Sequence, residues 1–213
     1  MRQSILGLAV AVMLVGVGRA ETVWLDTDTT IDADNSFPDD DLMFNSVTVN
    51  IMEGGEVGGY VWAYSGGTIN MYGGTVGDYL GAYAAGTINM SGGTVEGRLW
   101  AYSSNTVNIS GGSISTYIDA YIGNTVNISG GSIGTHIATS NSNTINIHGY
   151  NFDQIGDRLA GRLADGTPFD TELRGPAGQY VLHTVPEPST LILLATGAVG
   201  LLFCAWRRRR RAA

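Results

Sequence analysis

Arg98, Asp119 and His136 combine a fixed cation, a carboxylate and an imidazole, the groups from which acid–base chemistry is built. Polysaccharide-cleaving sites need paired carboxylates roughly 5 to 10 Å apart, or a base supported by a cation or metal. These three residues match no such motif, and the chain has no lysine to assist them. The expectation is therefore no catalytic residues and no enzyme activity, with a polysaccharide-degrading enzyme as a distant alternative. A second group of side chains offers binding instead. Tyr64, Tyr83, Tyr102 and Tyr121 recur every 19 residues, and Trp62 and Trp100 each stand two residues before one of them. Aromatic rings combine flat apolar area with a polar edge, a surface on which sugar rings stack.

What positions these residues is an internal repeat. Asn50, Asn70, Asn89, Asn108, Asn127 and Asn146 are separated by 20, 19, 19, 19 and 19 residues. Each sits in one local phrase, such as Ile-Asn-Met-Ser-Gly-Gly from Ile88 or Val-Asn-Ile-Ser-Gly-Gly from Val107. Within the phrase the apolar period is two, so it reads as a short strand with one buried face, and the glycine pair makes a corner. Three columns then share one parity: Val57, Val76, Val95, Ile114 and Ile133; Val61, Leu80, Leu99, Ile118 and Ile137; Ala63, Ala82, Ala101 and Ala120. A fixed period with one such unit per repeat predicts a solenoid. The fold class is all-β, a parallel β-solenoid of about six coils of 19–20 residues, stacked roughly 4.8 Å apart.

The opposite parity carries the tyrosines. Beside them run the column Tyr60, Tyr79, Arg98, Tyr117 and His136 and the column Trp62, Gly81, Trp100, Asp119 and Ala138. This outward face has two readings: rings stacked on one another, or covered by the segment after Tyr150, as a structural device, or a platform for a glycan. The asparagines also have two. Asn89, Asn108 and Asn127 open Asn-x-Ser triplets, the glycosylation acceptor pattern, and regular recurrence equally suits an amide ladder between coils.

Residues 21–46 carry seven aspartates: Asp26, Asp28, Asp32, Asp34, Asp39, Asp40 and Asp41. Calcium takes six to eight oxygens, but the central glycine and closing glutamate of an EF-hand loop are missing here. The expectation is no metal and an acidic capping coil, with Ile31 in register with Asn50. Solenoids need a polar terminal cap, and 151–185, with its Asp165-Gly166 turn, reads as a β-rich cap and spacer. Residues 21–185 hold four arginines against 18 acids, a net charge of −14. That balance excludes a nucleic-acid partner, which needs clustered Lys and Arg. Cys204 is the single cysteine, so the body has no disulfide, and no cofactor is implied.

Both ends read as trafficking signals. Arg2, the apolar run Ile5 to Val17 and Gly18-Arg19-Ala20 form a signal peptide, residues 1–20, with cleavage between Ala20 and Glu21. At the other end, Pro186-Glu187-Pro188 precedes an apolar segment 191–206, which would span about 24 Å as a helix. Five arginines follow, Arg207, Arg208, Arg209, Arg210 and Arg211, a block that resists translocation. This tail, 186–213, resembles the PEP-CTERM sorting tail of exported proteins from exopolysaccharide-producing bacteria. The resemblance implies recognition and cleavage by an exosortase, a membrane-embedded cysteine transpeptidase, and a membrane-inserted precursor released to the cell surface or extracellular matrix. Between the two ends, 47–150 would be the solenoid. The expected role is a non-enzymatic structural or adhesive component of an exopolysaccharide-associated envelope or biofilm matrix. The alternative is a glycan-binding module, with extracellular polysaccharide as partner, using Tyr64, Tyr83, Tyr102, Tyr121, Trp62 and Trp100.

Overall fold

Alternation of Thr, Val, Asn and Ile leaves each repeat one apolar and one polar edge, and the chain answers by winding rather than by pairing hairpins. The computed structural model describes residues 21–140, 142–176, 178–187 and 196. The expected signal peptide, Pro188 and, apart from Thr196, the apolar and basic parts of the tail lie outside the described residues. Among the described residues no helix is long and apolar enough to cross a membrane.

The body is a parallel β-solenoid of about 7 turns. Turns have three strands, as in Thr87–Met90, Thr94–Val95 and Leu99–Tyr102, until the first two run together in Thr106–Ile114 and Thr125–Ile133. Each stacks in parallel on its counterpart one turn away, so that Thr87 faces Thr68 and Thr106, Val95 faces Val76, and Leu99 faces Leu80. Three sheets result: one bearing the asparagines, one short, one bearing the aromatic residues.

The three aliphatic columns point inward and are buried, as are Val49, Ile69, Ile88, Val107, Val126 and Ile145. Like residues therefore stack on like residues along a narrow apolar core, where burial stabilises by roughly 25 cal/mol per Å². The glycine pair at the first corner is required twice over. Its second member adopts a left-handed backbone, with φ of 78° at Gly93 and 84° at Gly112, a region open to glycine. Its first member lies against the coil below, where a Cβ on Gly92 would collide with the carbonyl oxygen of Tyr72.

The first turn departs from the expected register. Ile31 pairs with Ile51, and Thr30 faces Asn50, so the offset there is 20 residues rather than 19. Two corners account for the longer early coils. Asp32 closes a tight turn by accepting from the backbone N–H groups of Asp34 and Asn35 at 3.0 and 3.1 Å, and Met52 to Gly55 is one residue longer than Tyr72 to Gly74.

At the other end winding gives way to a meander. Thr144–Ile155, Arg158–Leu163 and Pro168–Arg174 pair antiparallel in sequence, and the last also runs parallel to His136–Thr139. Leu159, Leu163, Phe169 and Leu173 are buried and close the apolar core at that end. Tyr180–Thr184 is a strand of the body, parallel to the asparagine sheet with Ile145 facing Tyr180 and His183 facing His148.

Candidate functional site: the aromatic sheet face

Because side chains alternate across a strand, the parity that buries Leu80 and Ala82 turns Tyr83 outward, and the 19-residue period repeats that choice. Ring centroids lie 5.9 Å apart for Tyr64 and Tyr83, 5.2 Å for Tyr83 and Tyr102, and 5.4 Å for Tyr102 and Tyr121. Tyr83 and Tyr102 are nearly parallel, with planes 8° apart, and stack on one another. Trp24 stands two turns before Trp62, in register with it through Met43, and stacks on Tyr64 at 6.1 Å. Trp24, Tyr83 and Tyr121 are exposed, at 57%, 42% and 37%. The segment after Tyr150 prolongs the sheets at the end of the rod, so it leaves these rings uncovered.

In the neighbouring column Trp62 and Trp100, two turns apart, meet at 5.4 Å and a 58° tilt. The turn between them supplies Gly81, which pairs with both. A Cβ there would stand 2.8 Å from the Trp62 ring, so the missing side chain is what lets the indoles lean together. Trp62, Trp100, Tyr64, Tyr83 and Tyr102 line an open recess of about 260 Å³.

Arg98, Asp119 and His136 do come from adjacent turns, but their charges are spent locally. The Arg98 guanidinium lies 4.4 Å from the Tyr79 ring centre and 4.3 Å from that of Trp100. Its Nη1 donates to Tyr117 Oη at 3.1 Å and is 3.9 Å from Asp119 Oδ2. Burial raises the Asp119 carboxyl above its ordinary range, against the opposing pull of Arg98 and His136. Burial, then Arg174, lowers the His136 imidazole, which stacks on Tyr117 at 4.5 Å. This is a packed cation–aromatic cluster, and neither Asp119 nor His136 lines the recess.

The asparagine sheet carries an amide ladder. The Nδ2 of each later residue donates to Oδ1 of the one before it: Asn70 to Asn50, Asn89 to Asn70, Asn108 to Asn89, Asn127 to Asn108 and Asn146 to Asn127, all at 2.8–2.9 Å. The last acceptor, Asn146 Oδ1, lies 3.0 Å from His183 Nε2. The Asn-x-Ser amides of Asn89, Asn108 and Asn127 are thus engaged. A second ladder, buried at a corner, joins Asn105, Asn124 and Asn143. Its signal in the sequence is the Asn-Thr pair at 105, 124 and 143, again 19 apart.

The N-terminal aspartates act mainly as backbone acceptors. Asp28 takes the N–H of Thr48 at 2.7 Å, Asp41 that of Tyr60 at 3.1 Å, and Asp40 that of Glu21 at 3.2 Å. Among the described residues no three His, Cys, Asp or Glu side chains gather as a metal site.

At the C-terminal end, the strand Tyr180–Thr184 carries the chain directly into Pro186 and Glu187. Val185 N–H donates to Gly149 O at 2.8 Å, and Glu187 Oε1 accepts from Asn151 Nδ2 at 2.9 Å. Residues 184–210 match the PEP-CTERM protein-sorting motif. No curated protein and no solved structure matches the chain. The sorting motif and the winding together define an exported, exosortase-sorted protein with a β-solenoid body.

Proposed function

We propose that this protein is a non-enzymatic structural or adhesive component of an exopolysaccharide-associated envelope, processed at the membrane and left at the cell surface or in the matrix. The observation that supports this reading is the near-parallel stack of Tyr83 and Tyr102. Those rings spend their flat faces on each other, each pair contributing about 0.5–1.5 kcal/mol beyond burial, so the ladder strengthens the rod. Tyr83→Ala removes two of these contacts. A fall in unfolding free energy of about 2 kcal/mol or more in denaturant melts supports the structural role; an unchanged midpoint removes it.

A second reading, glycan binding, is favoured by the open recess between the tryptophans and the tyrosine ladder. Tryptophan emission during titration of the protein with bacterial exopolysaccharides tests it. Saturable quenching that is lost in the paired variant Tyr83→Ala, Tyr102→Ala would support a sugar on this face. Unaltered binding in that variant would place the sugar elsewhere.

A further inference from the structure

The recess over Gly81 is lined by five aromatic side chains: Trp62, Tyr64, Tyr83, Trp100 and Tyr102. Its polar groups are phenol hydroxyls; the indole N–H of Trp100 is closed off from solvent and has no acceptor among the described residues.

Charge points the same way. An anionic polymer needs a cation to receive it, and no arginine lines the recess. Arg98 lies among Tyr79, Trp100 and Tyr117. Arg158 pairs with Asp170 at 2.6 Å, Arg174 pairs with Glu172 at 2.7 Å, and Arg162 donates to the carbonyl of Gly166 at 2.8 Å. Around them stands the excess of carboxylates, a net charge of −14 over residues 21–185. The field of such a body repels polyanions, most strongly at low salt.

We infer that the recess takes an uncharged sugar ring and rejects uronate-bearing polymers; this rests on the glycan-binding reading of the face. Hydroxyls on a pyranose ring supply partners for the phenols, while the apolar ring face lies against the tilted indoles. A carboxylate on the same sugar gains no counter-ion and enters a negative field.

The test uses the full chain in neutral detergent micelles, titrated at low ionic strength with a hexamer of β-1,4-linked glucose and a hexamer of galacturonate, and read by tryptophan emission. The expected result is saturable binding of the glucose hexamer and roughly tenfold weaker binding of the uronate, a gap that narrows as salt rises. Equal or tighter binding of the uronate overturns the charge selection and leaves the glycan reading standing. Binding of neither hexamer overturns both.

Gly81→Val separates the recess from the rest of the face. Its side chain would point outward into the space the indoles fill, so the apolar core is untouched, and the glucose signal is expected to vanish. Trp100→Phe keeps a ring and shortens the apolar wall of the recess, and weaker binding is expected. Full affinity in both variants overturns the assignment of the recess as the sugar site.

Discussion

Asn151 holds Glu187. The carboxylate at the middle of the Pro-Glu-Pro sequence accepts a hydrogen bond from Asn151 Nδ2 at 2.9 Å, and Asn151 reaches it from a left-handed backbone with φ of 55°. The matched sorting motif, residues 184–210, thus begins against the folded body, at the last residue of the strand Tyr180–Thr184. Asn151→Gly preserves that backbone and removes the amide. An exposed hydrogen bond of this kind contributes about 0.5–1 kcal/mol, so removal of the tail in exosortase-containing cells should speed up by roughly two- to fivefold. Mass spectrometry of precursor and product over time reads the rate, and an unchanged rate means the contact does not restrain processing.

The two asparagine ladders should differ in worth. Asn124 is 1% exposed. It accepts from Asn105 N and Nδ2 and donates to Ala101 O and Asn143 Oδ1. Asn124→Ala leaves several buried groups unpaired and should cost about 3 kcal/mol or more. Asn108 lies on a half-exposed face where water can replace it, and Asn108→Ala should cost about 1 kcal/mol. Denaturant unfolding of the two variants checks the order.

Tyr180 donates to Ile137 O at 2.8 Å and to Arg174 O at 3.0 Å. Burial pushes its phenol up to about 12 from the ordinary 10.0. A raised folded pKa means the native state keeps a proton the unfolded chain gives up. Its contribution is therefore fully present below pH 10.0 and is lost as pH rises toward about 12. Tyr180→Phe should lower stability by about 1–2 kcal/mol at neutral pH and flatten that alkaline loss. Melting temperatures across the range measure both.

Two imidazoles act in the opposite direction. His148 stacks on His183 at 4.4 Å. Burial, then His183, lowers its pKa, and burial also lowers that of His136. The folded protein binds fewer protons than the unfolded chain at these sites. Their contribution is present above pH 6.5 and is lost as pH falls below it. The melting temperature should drop between about pH 8 and about pH 5, and the drop should shrink in His148→Gln.

How far the sequence led depended on where the period held. The inward columns through Val76, Leu80 and Ala82 and the outward one through Tyr83 were readable because a parallel stack repeats one environment at each turn. The amide ladder through Asn108 was legible for the same reason. Asn124 was overlooked beside it because its neighbourhood varies: Ser103-Ser104 precede Asn105, while Ile122-Gly123 precede Asn124. The register of Ile31 was lost where corners change length, at Asp32 to Asn35 and Met52 to Gly55, whereas Trp24 keeps the period and is set apart from Trp62 only by Met43 between them. The recess over Gly81 was hidden because a glycine in an aromatic column reads as a gap, and only packing shows two indoles filling it. The pairing of His136 with Glu172 joins residues whose partnership no repeat announces.

The parallel winding also governs how the protein can be built. Each strand finds its partner about 19 residues away, so a short length of chain emerging from an export channel is enough to complete a turn on the one before it. Until the meander from Arg158 to Arg174 arrives, the newest turn presents bare strand edges, which invite pairing with another chain. The strand Tyr180–Thr184 then covers the edge at Ile145 to Gly149, so the last piece of the body to be delivered is the one that runs into the sorting signal.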